Sequence, residues 1–185
     1  MAAISKSGGD VDYFLEISQA PGESKDLQYP NTIHVSSWKW GERNSGDFGI
    51  NGAGGSGKVS VDDLEVRFLA SAATAPLISL CTTGKHFPTA RLICRKNGAS
   101  EPLTFLTIEL SKCLISSYRI GGNTSMSHSN GNEISGLEEV QSRPVEVVTI
   151  NFQEFHIEYT PQNGDGGLAG GPKVFKYNRA TNSVG

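Results

Sequence analysis

From residue 144 to residue 160 the chain reads PVEVVTINFQEFHIEYT, with an apolar side chain at nearly every second position. A period of two belongs to a strand with one buried face, because successive side chains leave a pleated backbone on opposite sides. Val148, Ile150 and Phe152 share one parity, and Phe155, Ile157 and Tyr159 the other. A turn or bulge at Gln153-Glu154 is needed to bring both sets onto one core. The same period recurs along the chain: Tyr13, Leu15 and Ile17 in YFLEI, Leu92 and Cys94 in ARLICRK, and the alternating stretches PLTFLTIEL (102–110) and CLISSYRI (113–120). In TIHVSSWKW, Ile33 and Val35 are out of phase with Trp38 and Trp40, which predicts a bulge near Ser36-Ser37. In KVSVDDLEVRF, Val59 and Val61 are out of phase with Leu64, Val66 and Phe68, which places a break at Asp62-Asp63. KVFKYN (173–178) supplies one more strand, and Asn97-Gly98 marks a turn between two of the others.

One stretch breaks the rule. TAPLISLCTTGKH (74–86) places Leu77, Leu80 and Cys81 at helical spacing, with Thr74 as N-cap, Pro76 in the first turn and Gly84 as the C-terminal stop. Many short antiparallel strands with one helix predict a sandwich or a closed barrel, and closure removes the free edges that so many strands would otherwise expose. The 22 glycines and 37% apolar content suit a turn-rich β protein. A length of 185 residues suits one domain with a continuous core. A flexible N-terminus (1–12), mobile loops (41–57 and 121–143) and a glycine-rich tail (161–185) are expected around it.

The net charge of −3 gives no electrostatic case for nucleic acid. No run approaches the ~20 apolar residues that cross a bilayer. The N-terminus lacks the apolar segment of a secretory signal, so export would need a route without a cleaved leader. Cys81, Cys94 and Cys113 lack metal-binding spacing and read as small buried hydrophobes in a reducing cytoplasm. A nucleophile built from Cys81 and His86 would be the sharp alternative, but nothing orients such a pair.

The segment GAGGSGKV (52–59) is nearly a phosphate-binding loop. Lys58 is present, but Val59 stands where a Ser or Thr hydroxyl must meet Mg²⁺, and a strand follows where a helix should begin. Nucleotide binding is therefore not expected, and the segment reads as a glycine-rich connection.

YFLEISQAPGES, IHVSSWKWG, GSGKVSVDDLEVRF, LISLCTTGKHFPTARLICRKNG and VTINFQEFHIEYTPQ, in that order, resemble the haemolysin-coregulated protein family, the tube proteins of bacterial type VI secretion. The likeness runs from about Tyr13 to Gln162. It implies a mainly β fold, a compact antiparallel β-barrel of two packed sheets with one flanking short helix and a long protruding loop. It also implies homohexameric rings stacked into a hollow tube inside a contractile sheath, capped by a valine-glycine repeat spike. The tube would carry effectors in its lumen, have no enzymatic activity and no cofactor, and pass from the bacterial cytoplasm to the outside. The family has a similar glycine-and-lysine segment before this strand. Gly52, Gly54, Gly55, Gly57 and Lys58 are then expected at the ring interface, the glycines allowing close backbone approach.

Other side chains have plainer readings. Trp38 and Trp40 could stack on a ligand, as a monomeric β-sandwich that binds a small molecule or glycan would require, but strand tryptophans more often serve core or interface. His86 reads as a surface or capping histidine. Glu16, Asp62, Asp63, Glu65 and Glu109 show neither metal spacing nor the spacing of a catalytic dyad.

Overall fold

A computed structural model of the chain describes residues 11–45, 59–97, 102–122, 143–163 and 167–185. The strands are β1 (Val11–Ile17), β2 (Ile33–Lys39), β3 (Glu42–Asn44), β4 (Val59–Val61), β5 (Leu64–Leu69), β6 (Phe87–Asn97), β7 (Pro102–Gly121), β8 (Val145–Asn151), β9 (Glu154–Tyr159), β10 (Lys173–Asn178) and β11 (Ser183–Val184). One helix, α1 (Thr74–Thr83), lies between β5 and β6.

Nine strands form one antiparallel sheet in the order β11-β10-β9-β7-β6-β1-β2-β5-β8, and β8 pairs again with β7. That second pairing closes a six-stranded barrel and leaves β9, β10 and β11 as a wing on its flank. β3 and β4 form a separate hairpin. The expected barrel with a short flanking helix is what the chain builds, and its two packed layers are halves of one bent sheet.

The bend is made by β7. The sequence suggests two strands, 102–110 and 113–120, whereas the structure runs them together as a single strand of 20 residues. Its first half pairs with β6 and β9, from Leu106 opposite Tyr159 to Ser111 opposite Glu154. Its second half pairs with β8, from Leu114 opposite Asn151 to Gly121 opposite Val145. Between them Lys112 takes φ 55°, a left-handed conformation that costs an L-residue roughly 1–2 kcal/mol. β8 and β9 break at the matching place, residues 152–153, where the alternation changes phase. The predicted bulge in β2 is present, with the register shifting between Val35 and Ser37. The predicted break at Asp62-Asp63 separates β4 from β5, which belong to different sheets.

The barrel interior takes one parity from each strand: Leu15 and Ile17, Ile33 and Val35, Val66 and Phe68, Leu92 and Cys94, Ile108 and Leu110, Val148 and Ile150. Leu77 and Leu80 of α1 close this core from one side. Gly84 ends the helix at φ 61°, as expected. The N-terminus differs: Ala73 is the N-cap, without a side-chain cap bond. Thr74 is already helical, and its Oγ1 accepts the Ser71 N–H at 3.0 Å while donating to the Glu146 carboxylate. That buried acceptor draws the hydroxyl away from a capping role.

Candidate functional site

The expected interface glycines Gly52, Gly54, Gly55 and Gly57, with Lys58, lie outside the described residues, as does most of the 121–143 segment. The two tryptophans are described. Trp38 and Tyr13 meet edge to face at 6.3 Å, and Trp40 meets Phe155 edge to face at 4.9 Å with the tilted Phe152 ring at 6.5 Å. Both are partly buried and pack against the core.

The candidate carboxylates are dispersed. Glu16 holds Arg91 at 2.6 Å, Asp62 holds Arg43 at 3.0 Å, and Glu65 holds Lys39 at 3.6 Å and Arg119 at 3.5 Å. Asp63 accepts from Ser116 Oγ at 2.5 Å and Asn151 Nδ2 at 2.7 Å. Glu109, on β7, stands opposite Arg91 of β6 and His156 of β9 in register. Four of the five are thus engaged by a cation or a hydrogen-bond donor. Among the described residues no group of three His, Cys, Asp or Glu could hold a metal, and no helix is long and apolar enough to cross a membrane.

Cys94 and Cys113 are buried, and burial pushes both thiols up to about 12. The third cysteine, Cys81 on α1, is only partly buried. A thiol reagent at pH 8 is therefore expected to modify Cys81 alone in the native protein, and all three after unfolding, because the reactive species is the thiolate. Counting adducts by mass before and after denaturant checks this; native labelling of Cys94 or Cys113 would contradict it.

Three further features escaped the sequence. On the outer barrel face Phe14 and Ile93 are buried although their parity points away from the core. Residues 18–32 fold over them as a strap. Arg95, 6% exposed, anchors it: Nη2 reaches Asp12 Oδ2 at 2.9 Å and Asp26 Oδ2 at 2.7 Å, and Nη1 donates to Asp26 Oδ1 at 2.9 Å. Its guanidinium lies 4.8 Å from the Phe14 ring centre, Tyr29 stacks on Phe14 at 5.2 Å, and the Tyr29 and Thr104 hydroxyls are 2.6 Å apart. The Arg95 hydrogen bond holds the Asp26 carboxyl below its ordinary value, burial opposes this, and the backbone N–H groups of Gln28 and Tyr29 add to the lowering.

Beneath α1, Glu146 is fully buried and opposite Phe68 in register. The Tyr118 hydroxyl sits near this carboxylate without a well-formed hydrogen bond to it. Burial first, and then the Glu146 charge, pushes its ionisation up.

The third feature is a groove of about 710 Å³ at the corner where β7 bends. Phe87, Leu114 and Phe152 line it with apolar surface, and His86, Lys112 and Arg179 bring positive or titratable groups to it. The wing's far end is apolar too: Val174, Phe175 and Tyr159 are exposed, and β11 covers only Tyr177 and Asn178 of β10. The arrangement offers surfaces for contact. Composition could have flagged Arg179 and Lys112 only as ordinary surface cations; their grouping depends on the bend.

The chain matches the sequence model of a family described as "Type VI secretion system effector, Hcp" over residues 14–159. Protein hcp1 of Pseudomonas aeruginosa is 37% identical over 168 residues, spanning 91% of this chain and 94% of that protein. Among solved structures, Hcp1 from Salmonella typhimurium superposes with a TM-score of 0.69 at 28% identity, over 94% of this chain and 98% of that one. A type six secretion system protein superposes with a TM-score of 0.81 at 23% identity, over 95% of this chain and 100% of that one, a likeness of fold.

Proposed function

This chain belongs to the Hcp family of type VI secretion system proteins, and from that membership we propose that it is a structural subunit of a secretion tube. Six copies close into a ring through a head-to-tail contact, and rings stack into a hollow tube. A contractile sheath surrounds the tube and a valine-glycine repeat spike caps it. Effectors travel in the lumen, and the chain itself passes from the bacterial cytoplasm to the outside. The glycine segment with Gly52, Gly54, Gly55, Gly57 and Lys58 contributes to the ring contact. The observation that carries this reading is the family match over residues 14–159, which takes in the barrel except the first three residues of β1, together with β9 of the wing. A closed barrel supports it physically, because a wall without free edges confines self-association to chosen surfaces. A heterologous interface closes into a ring only when its rotation divides a full turn.

Electron microscopy of the purified chain, with native mass measurement, tests the reading. Hexameric rings are expected; a stable monomer at micromolar concentration would overturn it.

A further inference from the structure

The corner groove holds a side chain in a backbone conformation that suits it poorly. Lys112 sits at φ 55°, where glycine would be unstrained. Its ammonium reaches Glu154 at 2.9 Å with both side chains exposed, a kind of pair that adds little stability. Beside it, the half-buried Arg179 donates Nη1 to the Phe152 carbonyl at 2.9 Å and lies 5.1 Å over the Phe152 ring. Among the described residues no carboxylate faces Arg179. A guanidinium held by a carbonyl and a ring keeps further donors in a fixed plane, so binding a carboxylate orders little more of the side chain. With Phe87 and Leu114 in the same groove, the site fits a carboxylate that stands next to an apolar side chain.

The wing carries that combination. Glu158 is exposed, and among the described residues it has no ion pair. Its register partner on β10, Val174, points to the same side of the sheet and is 52% exposed. Glu158 stands four residues along β9 from Glu154, the partner of the groove's Lys112, about 13 Å in an extended strand. Groove and patch are thus separate surfaces of a rigid sheet and cannot meet within one copy. On a chain of net charge −3, the groove is a local concentration of positive charge.

We propose that the corner groove of one copy receives the Glu158–Val174 patch of a second copy, head to tail. The inference rests on the assembly reading above and names the surfaces that would serve it. Two unlike patches make a heterologous contact, which can propagate from copy to copy, and opposite charges fix its register.

The experiment uses the full chain, native mass measurement and electron microscopy across a salt series. The wild type is expected to assemble. Arg179→Glu and Glu158→Arg are each expected to weaken association about a hundredfold, and the two together in one chain to restore it. Lys112→Gly separates contact from fold. Relief of the strained backbone should leave the subunit's melting temperature equal or higher, while association falls about tenfold. Single variants that assemble as the wild type does would overturn the contact and leave the ring reading standing. A folded double variant that fails to recover would overturn the pairing of these two patches. A wild type that stays monomeric at every concentration would overturn both readings.

Discussion

Replacing Gly22 with alanine is expected to remove about 2–4 kcal/mol of stability, one of the two largest single-site losses foreseen here. A β-carbon at this position would lie 2.3 Å from the Thr32 carbonyl oxygen, 2.5 Å from its carbon and 2.7 Å from the Ile33 nitrogen. All three are backbone atoms, so no rotamer change can make room. The strap is narrow at this point: Gly22 N–H donates to the Asn31 carbonyl at 2.8 Å, Asn31 N–H to Ser24 at 2.8 Å and Ser24 N–H to Thr32 at 3.1 Å. Space for a methyl group requires lifting the strap, which uncovers Phe14 and Ile93 and separates Asp26 from Arg95. For a chain of this size the loss corresponds to roughly 5–15 °C in melting temperature. Gly171→Ala serves as the control, because nothing lies within 4 Å of the added carbon there. Urea unfolding of both variants checks the prediction, and a Gly22→Ala loss below about 1 kcal/mol would show that the strap yields freely.

Arg95→Met is the second. It leaves Asp12 and Asp26 facing one another without a cation. Breaking a buried pair in this way costs about 3–5 kcal/mol. The Asp12 and Asp26 side chains keep 30% and 19% of their exposure, so water screens part of this and about 2–3 kcal/mol is expected. The pH dependence distinguishes the electrostatic contribution from lost packing on Phe14. Asp26 is held below its ordinary value in the folded chain, chiefly by Arg95. Its contribution is therefore complete above the unfolded value of ~4 and is lost as pH falls through the lower folded value. Wild-type stability should drop through that acid window, and the variant should drop less. Parallel curves for the two proteins would assign the effect to packing instead.

The parts of the fold that were legible are those set by local period. The phase slips in β2, between β4 and β5, and between β8 and β9 each mark a bulge, a change of sheet or the corner. Gly84 ended the helix because only a left-handed residue can turn the chain there without strain. Burial produced by distant residues was not legible. Phe14, Ile93 and Arg95 alternate outward, and nothing in residues 18–32, with their Pro, Gly and charges, announces that this segment returns to cover them. The continuity of β7 was equally hidden, because Ser111-Lys112 carries neither glycine nor proline, the residues that usually signal a sharp bend. Thr74 read as an N-cap because its partner, Glu146, is 72 residues away. The groove with Lys112 and Arg179 exists only after that bend is made.

The unbroken course of β7 has a mechanical consequence. One strand is barrel wall along its whole length and, over its first half, also carries the wing through β9, with no break at the bend. A load applied to the wing along this strand meets both rows of β7 hydrogen bonds in shear, so they must fail together instead of peeling apart one by one. The folded chain should therefore transmit a push as a single stiff body.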